Sequence, residues 1–306
     1  MKKKNMLSVV VSVFNGEEVL DECLKSVSWA KEIIVVNSSS TDRTLEIVKK
    51  YTDKIFTRQN NPMLNINKNF GFSKASGEWI LCLDADERIT PELQEEINNL
   101  KLGVNNTING YWIPRKNIIF GKWMEHTGWY PDPQLRLFKR GKGKFPEEHV
   151  HEMVKVEGEV GQLNEHILHY NYNSISQFIQ KLGESYGLNE AEQLIKKGYS
   201  FDWRDAIRFP AKEFLSRFFA REGYKDGFHG LMLSLLMAFY HFIVFSYIWE
   251  KHKFQQINDE AMLAQTEKEI TQSSKDLFFW FSKERTKLIK NPISKIFHKI
   301  LRKVKS

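Results

Sequence analysis

The sequence GEWILCLDADER, from Gly77 to Arg88, decides the fold. Its apolar run, Trp79 to Leu83, has the length of a buried strand, and a glycine precedes it. The run leads directly into Asp84 and Asp86, two carboxylates at the point where a buried strand meets solvent. In open α/β sheets, ligands bind at the carboxyl ends of the strands, and Mg²⁺ or Mn²⁺ prefers carboxylates together with substrate phosphates. The triplet therefore predicts a metal and phosphate site, although the same pattern also occurs in solvated turns.

The sequence on both sides of this stretch alternates between apolar runs and helical patterns. Leu7 to Phe14 and Glu32 to Val36 are rich in β-branched residues and predict buried strands. Thr90 and Pro91 provide the cap and first-turn proline of a helix. Such alternation predicts an α/β fold with a mostly parallel sheet and helices on both faces. Neither a G-x-G-x-x-G after the first strand nor a G-x-x-x-x-G-K-[ST] occurs, so a dinucleotide site and a P-loop are not indicated.

The pattern changes after residue 100. Tyr111 to Ile119 and Gln134 to Phe138 predict strands on either side of an aromatic loop. Residues 147–152, EEHVHE, then concentrate glutamates and histidines, which are natural acid, base or metal-ligand groups. The alternative is a solvated charged loop.

Composition limits the chemistry and the compartment. Cys23 and Cys82 are the two cysteines of 306 residues, which fits neither a zinc site nor a disulfide framework and suits a reducing cytosol. The net charge of +7 is matched by seven basic residues, without an acid, between Thr286 and Ser306. This basic tail predicts an anionic surface as its partner. The tail lacks an aromatic stacking pattern, so nucleic acid is not an expected partner.

The stretch from Phe228 to Trp249 contains no Lys, Arg, Asp or Glu and is long enough to span a bilayer. Both of its flanks are basic, which disagrees with the positive-inside tendency of a single span. Its many aromatic residues and the basic tail favour a helix that lies in the membrane interface. A true span and a buried helix of a soluble protein remain alternatives. We expect a catalytic α/β domain over 1–195 and a helical, membrane-associating region over 196–306.

Several motifs together resemble a known family. Residues 8–18 (SVVVSVFNGEE), 32–44 (EIIVVNSSSTDRT) and 83–87 (LDADE) resemble the inverting family-2 glycosyltransferases of the GT-A fold. Residues 121–145, 149–154 and 167–181 are similar to the bacterial branch that contains lipopolysaccharide-core β-1,4-glucosyltransferases. The resemblance extends over roughly residues 6–195, and its motifs specify the reaction class better than the sugar.

The resemblance implies a nucleoside pocket at the end of the first strand. Ser12, Phe14, Asn15 and Glu17 would line it. At the position of Asn37 the family normally has an aspartate that binds the uracil edge. An amide can both donate and accept hydrogen bonds, so uracil can still be recognised, but the departure leaves the base open.

The resemblance also implies a metal and diphosphate site. Asp84 would face the ribose or the metal, and Asp86 would coordinate Mg²⁺ or Mn²⁺ bridging the diphosphate, which neutralises the charge of the leaving nucleotide. Lys68 and Arg136 are expected as further diphosphate partners, and His151 as a further metal ligand or as a residue that orients the base.

An inverting transfer needs a base that deprotonates the acceptor hydroxyl from the face opposite the leaving group. The base should therefore differ from the metal-binding carboxylates. Glu152 is the favoured candidate and Asp132, which lies between two prolines, is the second. Glu147 and Glu148 are the remaining candidates for the catalytic base.

The predicted activity is transfer of a hexose, with UDP-glucose as the expected donor, to a lipid-linked or envelope glycan such as lipopolysaccharide core. The expected location is the cytoplasm, peripheral or monotopic on the inner face of the cytoplasmic membrane. A non-catalytic, membrane-associated sugar-nucleotide-binding protein is the first alternative, suggested by Asn37. A nucleotidyltransferase is the second, but it would usually carry a glycine-rich basic loop where this chain has the acidic Asn15–Glu18.

Overall fold

The structure is a computed structural model, and it describes residues 7–61, 63–100, 107–147, 152–257 and 260–291. The chain forms two compact units, one of Met1–Trp123 with Trp129–Asn171 and one of Met124–Gly128 with Tyr172–Ser306. The predicted functional boundary after residue 195 differs from this division, because the helix that ends at Lys196 packs within the second unit.

The first unit is built on β-strands. Within the described residues they are β1 Leu7–Val13, β2 Glu32–Asn37, β3 Ile55–Thr57, β4 Trp79–Asp84, β5 Glu87–Ile89, β6 Ile108–Ile113, β7 Arg115–Ile119, β8 Lys122–Trp123, β9 Gln134–Lys139, β10 Gly143–Lys144, β11 Lys155–Val156, β12 Glu159–Gln162 and β13 Ile167–Tyr172. The principal sheet has the order β12-β6-β9-β4-β1-β2-β3. In it β9 runs antiparallel to β4 and β6, and the other pairs are parallel. The predicted mostly parallel α/β sheet is confirmed.

The helices of the first unit cover the parallel strands. They are α1 Leu20–Ser26, α2 Thr44–Val48, α3 Leu64–Lys74 and α4 Pro91–Asn99. The predicted cap of α4 is present, since the Thr90 hydroxyl accepts a hydrogen bond from Leu93 N–H at 3.1 Å. β1 and β4 are apolar almost throughout because both of their faces are covered, and Val9, Val11 and Leu81 are fully buried.

Two smaller sheets complete the unit. One has the order β5-β13-β7-β8, and the other is the antiparallel pair of β10 and β11. In the first, β13 pairs with β5 so that His169 lies opposite Glu87. This pairing brings a residue from late in the chain next to the end of β4.

The second unit is helical, as predicted. Its helices are α5 Ile175–Lys181, α6 Gly187–Lys196, α7 Asp205–Leu215, α8 Phe228–Lys251 and α9 Met262–Leu288, and short π-helical segments follow α5 and α7. The segment Met124–Gly128 belongs to this unit, because the Asp226 carboxylate accepts hydrogen bonds from His126 N–H at 3.0 Å and from the Thr127 hydroxyl at 2.9 Å. Most of the predicted basic tail, 292–306, lies outside the described residues.

Helix α8 has two different faces. Leu233, Val244 and Ile248 are fully buried, and 28% of the helix's most apolar 18-residue window lies inside the protein. Large apolar side chains at helical spacing are exposed along another stripe: Phe228, Leu235, Phe239, Phe242 and Trp249. Within the described residues α8 is the one helix whose length and composition would allow a membrane span. The core helix of a soluble protein can have the same length and composition.

Candidate active site

Three predicted site residues come together at the carboxyl edge of the parallel strands. Ser12 pairs in register with Asp84 across β1 and β4, and Val13 pairs with Asn37 across β1 and β2. Asn37 and Asp84 are therefore the last residues of β2 and β4, and Ser12 is the last but one of β1. Ligands of open α/β sheets bind at this kind of edge.

The loop after β1 is tied to the loop after β2. Asn15 has a left-handed backbone with φ of 48°, and its side-chain oxygen accepts a hydrogen bond from Thr41 N–H at 2.8 Å. Glu17 accepts one from Arg43 N–H at 3.0 Å. Gly16 is required between them, since a Cβ atom there would lie 2.5 Å from Val13 Cγ2. Asn15 and Glu17 thus shape the loop through these contacts, whereas the neighbouring Phe14 is 45% exposed and available for stacking.

Asn37 is engaged by its own surroundings. It is buried, its side-chain oxygen accepts a hydrogen bond from Ser40 N–H at 3.1 Å, and its amide donates to the Thr57 hydroxyl at 3.4 Å. These bonds fix the polar loop after β2. Recognition of the base by Asn37 stays a prediction.

Asp84 forms ion pairs with both residues that were expected at the diphosphate. Lys68 Nζ lies 2.5 Å from Asp84 Oδ1, and the guanidinium of Arg136 contacts Oδ2. Burial would raise the pKa of Asp84, but Arg136 and Lys68 outweigh it and hold the pKa well below its usual range. Asp84 is therefore a firmly charged anchor for two cations in this structure.

Glu87 extends this ion-pair network and was not singled out by the sequence reasoning. It is fully buried and accepts a hydrogen bond from Asp84 N–H at 2.9 Å. Its other oxygen lies 2.8 Å from both Arg115 and Arg136. The available signal was the third acid of LDADE, because a buried carboxylate requires cationic or hydrogen-bonding partners.

Asp132, the second candidate base, is also held by a cation. Arg115 contacts its Oδ2 at 2.5 Å, and the amides of Asn117 and Gln134 donate to its carboxylate at 3.1 Å each. Burial would raise the pKa of Asp132, but Arg115 and these hydrogen bonds lower it instead. A carboxylate with a lowered pKa has a reduced tendency to take a proton.

Asp86 has different surroundings. His169 Nε2 lies 3.6 Å from Asp86 Oδ2. The other ring nitrogen of His169 lies 2.7 Å from the side-chain oxygen of Asn117. Because the Asn117 amide nitrogen donates to Trp129 C=O at 2.7 Å and to Asp132, its oxygen is the acceptor and His169 Nδ1 carries the proton. The other ring nitrogen, Nε2, is therefore the one that faces Asp86.

This arrangement fits a divalent cation. An imidazole fixed through its other nitrogen is the usual form of a histidine ligand, and Mg²⁺ or Mn²⁺ commonly takes few protein ligands together with phosphate oxygens. A self-sufficient cage is not present, since no group of three or more His, Cys, Asp or Glu suited to a metal occurs among the described residues. His169 was missed by the sequence reasoning, and the predicted ligand His151 lies outside the described residues.

Helix α3 holds the acidic segment through two asparagines one turn apart. The Asn65 amide donates to Glu152 Oε2 at 3.1 Å, and the same oxygen accepts from Glu147 N–H at 2.8 Å. The Asn69 amide donates to Glu147 Oε1 at 2.6 Å. Lys68, on the same helix, reaches Asp84, so α3 connects the two groups of carboxylates. Residues 148–151, with Glu148 and His151, lie outside the described residues.

Comparisons with known proteins identify the domain. Residues 8–154 match the family model described as Glycosyl transferase family 2. The chain is 28% identical over 258 residues to the lipopolysaccharide core biosynthesis glycosyltransferase LpsC of Rhizobium meliloti, covering 82% of this chain and 95% of LpsC. It is 27% identical over 256 residues to the uncharacterized glycosyltransferase RT0209 of Rickettsia typhi, covering 79% of this chain and 85% of that protein.

Among solved structures, the mannosyltransferase PcManGT of Pyrobaculum calidifontis, in complex with GDP-Man and Mn²⁺, is similar with a TM-score of 0.42 and 12% identity, covering 90% of this chain and 85% of that chain. With so low a TM-score, we draw no conclusion about ligands from this similarity. The match to the family model, together with the mostly parallel sheet, confirms the family predicted from the motifs. Residues 8–154 match the model of glycosyl transferase family 2 and contain the parallel strands β1 to β4 that the motifs predicted.

Proposed function

We propose that this protein transfers a hexose from a nucleotide sugar to a bacterial envelope glycan, with inversion at the anomeric carbon. UDP-glucose is the proposed donor and lipopolysaccharide core the proposed acceptor class. The single observation that carries the proposal is the position of Asp86 beside His169, whose ring is fixed by Asn117, at the strand edge of the domain that matches family 2. The similarity to LpsC, over nearly its whole length, supports the acceptor class.

Asp86 and His169 would hold the cation, either Mg²⁺ or Mn²⁺, and Asp84 would face the ribose or the metal. When bound, the cation neutralises negative charge on the departing nucleotide diphosphate. Asp84 presents Lys68 and Arg136 on the same strand edge. We propose that the Lys68 and Arg136 side chains contact the diphosphate once the donor is bound. The nucleoside side of the pocket would be formed by Ser12, Phe14, Asn15, Glu17 and Asn37.

Glu152 is the proposed catalytic base. It would accept the proton of the acceptor hydroxyl as that hydroxyl attacks the anomeric carbon. Its Oε2 accepts hydrogen bonds from an amide and a backbone N–H, which orient the carboxylate. Asp132 is less suited, because Arg115 stabilises its charged form and lowers its pKa.

We further assign catalysis to residues 1–195 and membrane contact to 196–306. The exposed apolar stripe of α8 supports contact with the inner face of the cytoplasmic membrane in a peripheral or monotopic manner. Replacing Phe239 and Phe242 by serine should move the protein from the membrane to the soluble fraction, whereas serine at the exposed Ile175 and Ile179 of α5 should not. Equal membrane binding by both variants would contradict this assignment.

The activity is tested by incubating the purified protein with Mn²⁺, a panel of nucleotide sugars and a core oligosaccharide acceptor. Transfer from UDP-glucose, with a β-anomeric product by NMR, is the expected result. A retained α-configuration would exclude the inverting mechanism. Failure of every nucleotide sugar to react or to raise the melting temperature would favour a non-catalytic protein.

A further inference from the structure

A basic cleft in the first unit is not used by the proposed chemistry. It has a volume of about 680 Å³ and lies between the end of α3, the turn that joins β9 to β10, and β11. A volume of this size is typical of small-molecule sites. Four cationic side chains and one carboxylate line it: Arg140, Lys142, Lys144, Lys155 and Glu157.

Two of these cations face each other across a strand pair. Lys144 on β10 lies directly opposite Lys155 on β11, and like charges at directly opposed positions destabilise a sheet. Neither lysine forms an ion pair in the part of the chain that the structure describes, and the single carboxylate of the lining, Glu157, lies 3.4 Å from Lys142 with both side chains largely exposed. The positive charge of the cleft is therefore left without matching carboxylates.

The strand that carries Lys144 is held firmly against the core. A Cβ atom at Gly143 would lie 2.3 Å from the Phe138 ring, so the backbone approaches that ring as closely as only glycine allows. Phe145, the next residue after Lys144, is buried and stacks on Phe72 with ring centres 5.9 Å apart. The backbone at Lys144 is thus fixed in place by the packing of its two neighbours.

The cleft adjoins the segment that carries the proposed base. Asn69 lines the cleft and binds Glu147 at 2.6 Å, and Phe145 lines it and lies 5.3 Å from Lys68 Nζ. A molecule in the cleft would therefore lie near Asn69 and its partner Glu147. A concave site of this volume fits a sugar, whereas a flat membrane surface would not enter it.

We propose that this cleft binds an anionic sugar of the acceptor glycan, one that carries a phosphate or a carboxylate group. Lys144 and Lys155 would share the anionic group, whose charge relieves the repulsion between them. The assignment of that sugar to an acceptor depends on the proposed glycosyltransferase function, whereas binding of an anionic sugar by the cleft does not.

The test compares the wild type, the double variant Lys144→Gln/Lys155→Gln and the matched control Lys31→Gln/Lys49→Gln, whose lysines are exposed and lie outside the cleft. Mannose 6-phosphate, glucuronate, mannose and inorganic phosphate are titrated by calorimetry, and stabilisation by UDP with Mn²⁺ is measured separately. We expect the two anionic sugars to bind the wild type and the control, and to bind the cleft variant about tenfold or more weakly, with UDP stabilisation unchanged.

Equal binding of anionic sugars by the cleft variant and the control would overturn the proposal, as would the absence of binding to the wild type. Inorganic phosphate binding as tightly as mannose 6-phosphate would reduce the cleft to a simple anion site and also overturn it. A single-stranded oligonucleotide that binds more tightly than the sugars, and is lost in the cleft variant, would replace it by a nucleic-acid site. Sugar binding without any response to nucleotide sugars would contradict the proposed function and leave the cleft as an anionic-sugar site.

Discussion

The carboxylates of the first unit divide into two regions with different partners. Around Asp84, Glu87 and Asp132, arginine and lysine side chains occupy the carboxylate oxygens. The imidazole of His169 lies beside Asp86, and Glu152 Oε2 accepts from an amide and a backbone N–H. The contrast teaches that neighbouring carboxylates such as Asp84 and Asp86 can have different roles. The carboxylates held by arginine or lysine fix the framework, whereas Asp86 is proposed to bind a metal and Glu152 to take a proton.

The largest expected effect distinguishes the two candidate bases. Glu152→Gln should lower kcat for sugar transfer by about 10²- to 10⁴-fold, because a positioned base contributes that much. Asp132→Asn should lower stability but retain most of the turnover of the protein that remains folded. Both variants are compared by kcat and by urea unfolding. A larger loss of kcat in Asp132→Asn than in Glu152→Gln would reverse the assignment.

The next effect concerns the framework. Arg136→Met should destabilise the protein by about 3–5 kcal/mol, since removal of one partner leaves the buried Glu87 and the adjoining Asp84 with less compensation. The Nε atom of Arg136 has no acceptor among the described residues, so its stabilising contribution comes through the ion pairs. Urea unfolding gives the value, and Arg140→Met, at an exposed arginine, is the control. A change below about 1 kcal/mol would mean that the network is dispensable.

A smaller effect is expected at the histidine. His169→Ala should weaken the affinity for Mn²⁺ about 10- to 100-fold in the presence of UDP. His166→Ala is the control, since that ring contacts Tyr130 rather than Asp86. Enzyme activity is measured as a function of Mn²⁺ concentration, and wild-type metal dependence in His169→Ala would remove His169 from the site.

The smallest effect is the pH dependence of a carboxylate held by a cation away from the site. Burial would raise the pKa of Glu32, but hydrogen bonds from Lys54, Ser8 and Ser76 lower it from 4.5 to about 2. A lowered pKa in the folded state adds stability that is present above the unfolded value and is lost as the pH falls from about 4.5 to about 2. Glu32→Gln should therefore have a shallower decline of melting temperature between pH 5 and pH 3. If the melting temperature declined equally steeply in Glu32→Gln and in the wild type, other groups would be responsible for the loss of stability in acid.

The sequence predicted the order of strands and helices as far as α4, because apolar runs and caps are local signals. The predicted strand Tyr111 to Ile119 was wrong, since β6 and β7 divide it between two sheets. It also placed Asp84 and Asp86 at the end of β4, since a strand must end where its apolar run ends. It could not reveal that Asp84 binds Lys68 and Arg136, because those contacts depend on how α3 and β9 pack on β4. His169 was missed for a similar reason: its place beside Asp86 follows from the pairing of β13 with β5, which leaves no mark in the local pattern.

The departure at Asn37 shows a further limit. The sequence indicated an amide where the family has an aspartate, but the bonds from Ser40 and to Thr57 depend on the conformation of two loops. The charge of the basic cleft was equally hidden, because Lys144 and Lys155 become neighbours through the pairing of β10 with β11. Side chains that meet across elements are thus the part of the site that requires the structure.

The most direct test of the central claim is the binding of Mn²⁺, measured by electron paramagnetic resonance in the presence of UDP, for the wild type, Asp86→Asn and Asp132→Asn. If Asp86 binds the metal and the arginine-held Asp132 does not, Asp86→Asn should lose protein-bound Mn²⁺ while folded Asp132→Asn retains it. Equal Mn²⁺ binding by Asp86→Asn and the wild type would contradict the claim.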